Sequence, residues 1–397
     1  MFRAVSLSVV LAVLLALSGC SRGQLIEIYL VTVTSAGQPV QSLPPGVDPT
    51  IYSQKNLSSD GRYVLFSSHA AYDPADVNGA VDCYVYDRAA RTTELVSVGT
   101  DGTLATSDCT PADISGDGRY VVFATSSVLN TGDSGSRKIY LRDRDTQTTT
   151  FVVQASPFYM TISEDGTRLA YSDNDLYVVD LLDIPAGPQH VADDTHAPWL
   201  SADGRYVAYN SKAGNAGLGV AAGVDFVYVA DTSVVPFSYR WFGTDTNGNT
   251  VTGNSRVFGI SADGSVIVFE SYASFTQAGG GLFTISDVHG LNPVVNLVTS
   301  EYGMSTGASI SADGRFVVYA DRTSNQSLVL DRTLHTVEPA AFRRDGREAR
   351  VDGTAIISKD GEWIMYVGGI SMTQVLGTLM FGDLPIGGLQ LYLFRRP

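Results

Sequence analysis

The tetrapeptide Ser-x-Asp-Gly recurs along this chain and constrains its fold more than any other feature. Successive copies are separated by 38 residues (Asp165 to Asp203) to 60 residues (Asp203 to Asp263), which is the length of a small supersecondary unit. A repeat of this length predicts an array of similar units rather than one large core. The aspartates of the seven copies are Asp60, Asp117, Asp165, Asp203, Asp263, Asp313 and Asp360.

Each copy of the motif is flanked by residues that favour strands. A Leu or Ile precedes the serine, and an aromatic residue follows the aspartate by six positions, as Phe66 follows Asp60. Asp tolerates tight turns and Gly supplies a positive φ, so the motif predicts a hairpin turn. A third strand follows in motifs such as Tyr84-x-x-Asp87, and a Thr-rich fourth strand follows that. We name the strands of each unit A to D, from the inner to the outer.

These units predict an all-β fold, a seven-bladed β-propeller with four-stranded antiparallel blades over residues 26–397. The last copy of the motif is followed by strands B and C, and then the sequence ends. Residues 26–34 alternate like the D strands elsewhere and belong to no other blade. We therefore expect this N-terminal strand to pair in the last blade and to close the ring, which would remove an exposed sheet edge.

The Ser-x-Asp-Gly turns, with their apolar strand and the later Tyr-x-x-Asp strand, resemble the WD40-like β-propeller repeat of the TolB type. The resemblance covers nearly all of residues 26–397, although the Trp-Asp dipeptide of true WD40 repeats is absent. It implies the propeller fold and a role as a protein-interaction scaffold in the bacterial cell envelope.

The N-terminus has the pattern of an export signal. Arg3 is followed by an apolar run from Ala4 to Leu17 that is too short to span a membrane comfortably. Leu17-Ser18-Gly19-Cys20 resembles the bacterial lipobox, which implies a signal peptide over residues 1–19, acylation of Cys20 and a tether over residues 20–25. The alternative is an ordinary secretory signal with a chance cysteine. Ser21 favours the periplasmic side of the outer membrane as the location.

Charge limits the classes of partner. The chain has 26 Lys and Arg against 41 Asp and Glu, a formal net charge of −15. Phosphate backbones would be repelled by such a surface, so nucleic acid is excluded as an expected partner. We expect a monomer that meets the membrane through its lipid anchor and binds another protein of the envelope.

No residue cluster predicts catalysis, and we expect no catalytic residue. The repeated Ser and Asp are interpreted as structural turn residues, because seven equivalent copies do not make one asymmetric site. The sequence has neither Gly-x-Ser-x-Gly nor His-Glu-x-x-His. His190 and His196 lie near Asp193 and Asp194, which suggests either a metal-binding loop or, as we prefer, a solvated acidic loop.

One loop has the composition of a calcium site. Asp73, Asp76, Asn78 and Asp82 supply oxygen ligands, but they lack the EF-hand spacing and its terminal Glu. Asx turns before a strand explain the same residues, and so we predict no cofactor, with calcium as the alternative. Asp245–Asn249 form a second loop of this kind.

Two cysteines remain after Cys20. Cys83 begins a C strand, directly after a B–C connection, and Cys109 lies in the D–A connection to the next blade. In a propeller these connections emerge on the same face in adjacent blades. Exported proteins permit disulfides, so the pair is either bonded or two separate thiols.

The central channel offers the alternative to a scaffold, namely a binder of small ligands or carbohydrates, or a lactonase-like enzyme. Channel-lining candidates from the A strands are Asn56, Asp113, Trp199 and Ser309. Thr161, Gly259 and Ile356 interrupt any ring of polar groups there. Apolar, Gly-rich insertions at 371–388 and 214–224 would provide a partner surface if they are exposed, or would fold over the channel.

Overall fold

The computed structural model describes residues 28–31, 36, 56–133, 135–213, 222–245, 249–251, 253–276, 279–300, 307–321, 326–340, 355–368 and 390–396. These residues form an all-β propeller of antiparallel sheets. Among them, no helix is long and apolar enough to cross a membrane.

Six sheets have four strands, in the order A-B-C-D. Their strands are, for the second repeat, β5 (Thr110–Ile114), β6 (Tyr120–Thr125), β7 (Lys138–Asp143) and β8 (Thr148–Gln154); for the third, β9 (Tyr159–Ile162), β10 (Arg168–Asp173), β11 (Asp175–Asp180) and β12 (Gln189–Ala192); for the fourth, β13 (Thr195–Leu200), β14 (Tyr206–Ser211), β15 (Phe226–Asp231) and β16 (Ser238–Phe242); for the fifth, β17 (Ser255–Ile260), β18 (Ile267–Thr276), β19 (Gly279–Ser286) and β20 (Val294–Thr299); for the sixth, β21 (Ala308–Ile310), β22 (Phe316–Asp321), β23 (Gln326–Asp331) and β24 (Thr336–Pro339); and for the last, β25 (Ala355–Ile357), β26 (Trp363–Gly368), β27 (Gln390–Arg395) and β1 (Ile28–Leu30).

The prediction of a seven-bladed propeller with four strands in every blade is wrong, since six blades have four strands. The first repeat forms a sheet of three, β2 (Tyr63–Ser68), β3 (Asp82–Asp87) and β4 (Thr92–Leu95). Before β2, the described segment contributes the single bridge between Leu57 and Val64. One bridge is not a ladder, so this segment does not supply a complete A strand.

The last sheet includes the strand nearest the N-terminus. β1 lies antiparallel to β27, with Ile28 opposite Phe394 and Leu30 opposite Tyr392. The order of this sheet is therefore β25-β26-β27-β1, and β1 occupies the position of a D strand.

Each Ser-x-Asp-Gly motif builds a turn held by its own side chains. The Ser Oγ donates to the Asp Oδ1 at 2.5–2.8 Å and accepts the backbone N–H five residues later, as from Val266 to Ser261. The glycine has a φ between 64° and 76°, which other residues rarely adopt. All seven aspartates therefore serve the turns.

Backbone hydrogen bonds connect each turn to the turn of the next repeat. In each pair the backbone N–H of the first residue donates to the carbonyl of the second: Ser59–Gly116, Gly116–Glu164, Asp165–Ala202, Ala202–Ala262, Ala262–Ala312, Ala312–Lys359 and Asp360–Ser59. The turns thus surround one axis on one face of the molecule. We call this the turn face, and the opposite face, with the B–C and D–A connections, the loop face.

The Asp of the Tyr-x-x-Asp motif ties the C strand to the turn face. In the second repeat Arg119, next to the turn, binds Asp143 through two nitrogens, at 3.0 and 2.7 Å. This guanidinium lowers the pKa of Asp143 to about 2, since it stabilises the charged carboxylate. Equivalent pairs are Arg62–Asp87, Arg205–Asp231 and Arg315–Asp331.

The hydrophobic core lies between neighbouring sheets. Its repeated unit is a stacked pair of aromatic rings, one from strand B and one from strand C, such as Phe269 and Phe283 with centroids 5.5 Å apart. Both rings are fully buried. In the first six repeats, the aromatic residue six positions after the Asp is therefore a core residue. Stacked pairs of the same kind are Phe66–Tyr84, Phe123–Tyr140, Tyr171–Tyr177 and Tyr209–Tyr228.

Candidate functional site

The axial channel contains a small cavity lined by residues of the inner strands. Three of the four channel candidates, Asp113, Trp199 and Ser309, line it among aliphatic side chains such as Ile260 and Ile310. Its volume is about 30 Å³, which corresponds to room for about two water molecules. Pockets for organic ligands have volumes on the order of 300–1,000 Å³.

The fourth candidate, Asn56, is buried but does not belong to this lining. Its amide nitrogen donates to the carbonyl of Leu65 at 2.8 Å, within the first repeat. The structure therefore brings together three of the four predicted residues.

The polar side chains that line the channel form hydrogen bonds with the neighbouring repeat. Oδ2 of Asp113 accepts the hydroxyl of Thr161 at 2.9 Å and the backbone N–H of Ile162 at 3.0 Å. Trp199 donates its indole N–H to the carbonyl of Val257 at 3.2 Å. Ser309 Oγ accepts the backbone N–H of Ile357 at 2.8 Å. Each of these side chains joins one inner strand to the next, which is a structural role.

An ion pair crosses the mouth of the channel on the turn face. Lys359 Nζ of the last repeat lies 3.3 Å from Glu164 Oε1 of the third repeat. The hydroxyl of Ser59 donates to the other carboxylate oxygen of Glu164 at 3.2 Å. All three residues occupy the variable position of Ser-x-Asp-Gly, and so the turns themselves deliver the groups that narrow the entrance.

The two remaining cysteines meet on the loop face. Cys83 and Cys109 form a disulfide with their Cα atoms 5.7 Å apart and a sequence separation of 26. Both residues are buried. The bond fixes the start of β3 to the segment that leads into β5.

The oxygen-rich loop beside this disulfide is held by its own hydrogen bonds. Asp73 Oδ1 accepts the N–H of Ala75 and Asn78 Oδ1 accepts the N–H of Ala80, both of which are Asx turns. The Asn78 amide donates to Asp82 Oδ2 at 2.7 Å, and Tyr84 donates its hydroxyl to Asp76. At least one side-chain oxygen of each of these four residues thus accepts a hydrogen bond from a protein donor.

Asp82 is the most perturbed carboxyl of this loop. It is fully buried, and burial raises its pKa to about 6 in spite of the hydrogen bonds from Ser97 and Asn78. The nearby carboxyl of Asp76 raises the pKa further. A buried carboxyl with this pKa changes its charge near pH 6.

A second cluster on the loop face has a geometry that could hold a divalent cation. Ligand atoms of Asp175, His190 and Asp193 lie within 4.8 Å of one another, and His190 Nε2 is 3.0 Å from Asp193 Oδ1. The sequence pointed to this loop through His190, His196, Asp193 and Asp194. Asp175 was missed because it enters through the pairing of β11 with β12, where Tyr177 lies opposite His190. Two of the three groups are exposed, and carboxylates at a surface are commonly free of metal.

Exposed apolar side chains occur on the loop face of each of the first three repeats. Val77 lies in the B–C connection of the first repeat, Val128 in that of the second, and Phe158 with Tyr159 at the entry to the third. Val77 and Phe158 are 81% and 78% exposed. We call these four residues the loop-face patch. The insertion at 371–388 lies outside the described residues, as does most of the one at 214–224.

Comparison with known proteins supports the fold and leaves the function open. No protein-family model matches the chain, and no curated protein matches its sequence. A solved oligogalacturonate lyase in complex with manganese is similar, with 16% identity and a TM-score of 0.56 over 95% of this chain and 94% of that one.

Two further solved structures match with TM-scores below 0.5. TolB from Acinetobacter baumannii has 13% identity and a TM-score of 0.43, over 85% of this chain and 81% of that one. The β-propeller domain of Myceliophteria thermophila Cps50 (Swd1) has 11% identity and a TM-score of 0.48, over 82% and 95%. At TM-scores below 0.5, these two likenesses carry no argument about this chain.

Proposed function

We propose that this chain is an exported, lipid-anchored protein of the bacterial cell envelope whose propeller acts as a protein-interaction scaffold. The observation that carries the proposal is the state of the axial channel. Its cavity of about 30 Å³ is too small for an organic substrate, and its polar side chains join neighbouring inner strands. The proposal therefore assigns function to the surface of the ring.

The loop-face patch supports this assignment. Protein interfaces have an apolar centre in which a few large side chains carry most of the binding energy. Phe158 and Val77 are exposed and lie on one face, and Val77 belongs to the connection that leads to the disulfide-bonded Cys83. We propose that an envelope protein docks here.

The anchor is tested at Cys20. We expect Cys20→Ala to abolish incorporation of labelled palmitate and to raise the ratio of soluble to membrane-bound protein by roughly tenfold or more, because several acyl chains are needed for stable anchoring. The measurement is acyl labelling with fractionation of the expressing cells. Ser21→Ala is the matched control and should remain acylated. Acylation that persists in Cys20→Ala would contradict the proposed lipid anchor at this residue.

The patch is tested by photo-crosslinking in cells. A photoreactive residue at position 158 should give an adduct with one envelope protein, while the same residue at the exposed Val294, on the opposite face, should not. Phe158→Ser should weaken binding of that protein by roughly tenfold, since a buried Phe side chain contributes about 1.5–3 kcal/mol. Equal adducts at both positions, or unchanged affinity of Phe158→Ser, would count against the scaffold.

A further inference from the structure

Exposed apolar side chains also recur on the turn face, in four consecutive repeats. Leu182, Val235, Leu291 and Leu334 lie in the C–D connections of the third, fourth, fifth and sixth repeats, and their exposed fractions run from 63% to 95%. Single exposed apolar residues are ordinary, but one in the same connection of each of four neighbouring repeats is a pattern. We call these four residues the apolar tips.

Backbone hydrogen bonds place the tips on the turn face. The residue that leaves each C strand donates to the residue after the Ser-x-Asp-Gly turn of the same repeat, in the pairs Leu181–Thr167, Thr232–Arg205, Val288–Ser265 and Arg332–Arg315. Each C–D connection therefore starts beside a turn, and the tips project from that side.

The N-terminal strand enters from the same face. In the last repeat Arg396 donates to the carbonyl of Glu362, as Arg332 does to Arg315 in the sixth. Ile28 lies opposite Phe394, beside this bond, and so β1 begins at the turn face. Ile28 thus lies where a D strand begins, in the repeat next to that of Leu334.

Distance and sequence connect this entry point to the membrane. Cys20 precedes Ile28 by eight residues (28 − 20), which span at most roughly 28 Å when extended. The C–D connections of the first and second repeats are polar instead, with Arg88, Arg91, Arg144 and Asp145. The apolar tips therefore form an arc that ends at the tether.

We propose that the turn face docks on the lipid bilayer, with Leu182, Val235, Leu291 and Leu334 inserted among the headgroups and the loop-face patch turned away from the membrane. This inference rests on the proposed lipid anchor. The net charge of −15 favours a surface of zwitterionic phospholipid over an anionic one. Apolar side chains that enter the boundary between headgroups and acyl chains add to the binding provided by the acyl groups.

The test measures depth in the bilayer with the full lipidated chain. Leu291→Trp and Val77→Trp are each reconstituted in phosphatidylcholine vesicles with brominated acyl chains, and the unsubstituted chain corrects for the three native Trp residues. Both positions are exposed, so neither variant disturbs packing. The tryptophan at position 291 should be quenched at least twofold more than that at position 77.

Vesicle flotation and the mass of the N-terminal peptide separate the two proposals. A chain that is acylated and floats, but whose tryptophan at position 291 is quenched no more than that at position 77, overturns the orientation and leaves the anchor intact. A chain without an acyl group overturns both.

Discussion

Acidification from pH 7 to pH 4.5 should stabilise the protein by about 2 kcal/mol through Asp82 alone. The pKa of this carboxyl is about 6 in the folded protein, against 3.8 for an ordinary Asp. The difference sets a limit of about 3 kcal/mol, because each pKa unit corresponds to about 1.36 kcal/mol. The folded state binds the proton more tightly than the unfolded chain. The contribution is therefore complete below pH 3.8 and is lost as the pH rises through 6.

Urea unfolding at several pH values measures this effect. The free energy of unfolding of Asp82→Asn should lack the rise, because the amide is neutral throughout, while the exposed control Asp183→Asn should keep it. The range stops at pH 4.5 because Asp143, Asp231 and Asp331 have pKa values lowered to about 2 and act with the opposite sign below 3.8. Parallel curves for the wild type and Asp82→Asn would refute the assignment.

Loss of the Cys83–Cys109 bond should lower the free energy of unfolding by about 3 kcal/mol. The bond closes a loop of 26 residues, and the chain entropy that such a crosslink removes from the unfolded state is worth roughly 3.5 kcal/mol. Both sulfurs are buried, so Cys83→Ala with Cys109→Ala also loses some packing.

Denaturant unfolding with and without reductant checks this value. The wild type should lose the stability when reduced, and the double variant should be insensitive to reductant. The single variants should resemble the double, since either one breaks the bond. A wild type whose midpoint does not move after complete reduction would contradict the prediction.

The sequence was most informative where structure is local. In Ser261-Ala262-Asp263-Gly264 the serine, the aspartate and the glycine complete a turn without help from distant residues. The propeller follows from repeating that turn. The number of complete blades could not be predicted in this way. A complete A strand in the first repeat requires a ladder of hydrogen-bonded pairs with β2, and the described segment makes only the bridge from Leu57 to Val64.

The candidate sites show the same division. Asp113, Trp199 and Ser309 could be placed at the channel from their positions in the A strands. The hydrogen bonds of these side chains to Thr161, Val257 and Ile357 could not be predicted, since those partners are 48 to 58 residues away in the sequence. Asp175 joined His190 through the register of two strands, which no spacing in the sequence reveals.

By itself the sequence determined the turns, the strand order within a repeat, and the positions of Cys83 and Cys109, since these depend on neighbouring residues and on the direction in which each strand runs. The tertiary structure alone decided that Asp82 is buried, that the cavity in the channel is small, and that Leu182, Val235, Leu291 and Leu334 share the face at which β1 begins. Burial and proximity between repeats arise only when the sheets pack. The packing therefore decides which residues are exposed together and can carry the proposed function.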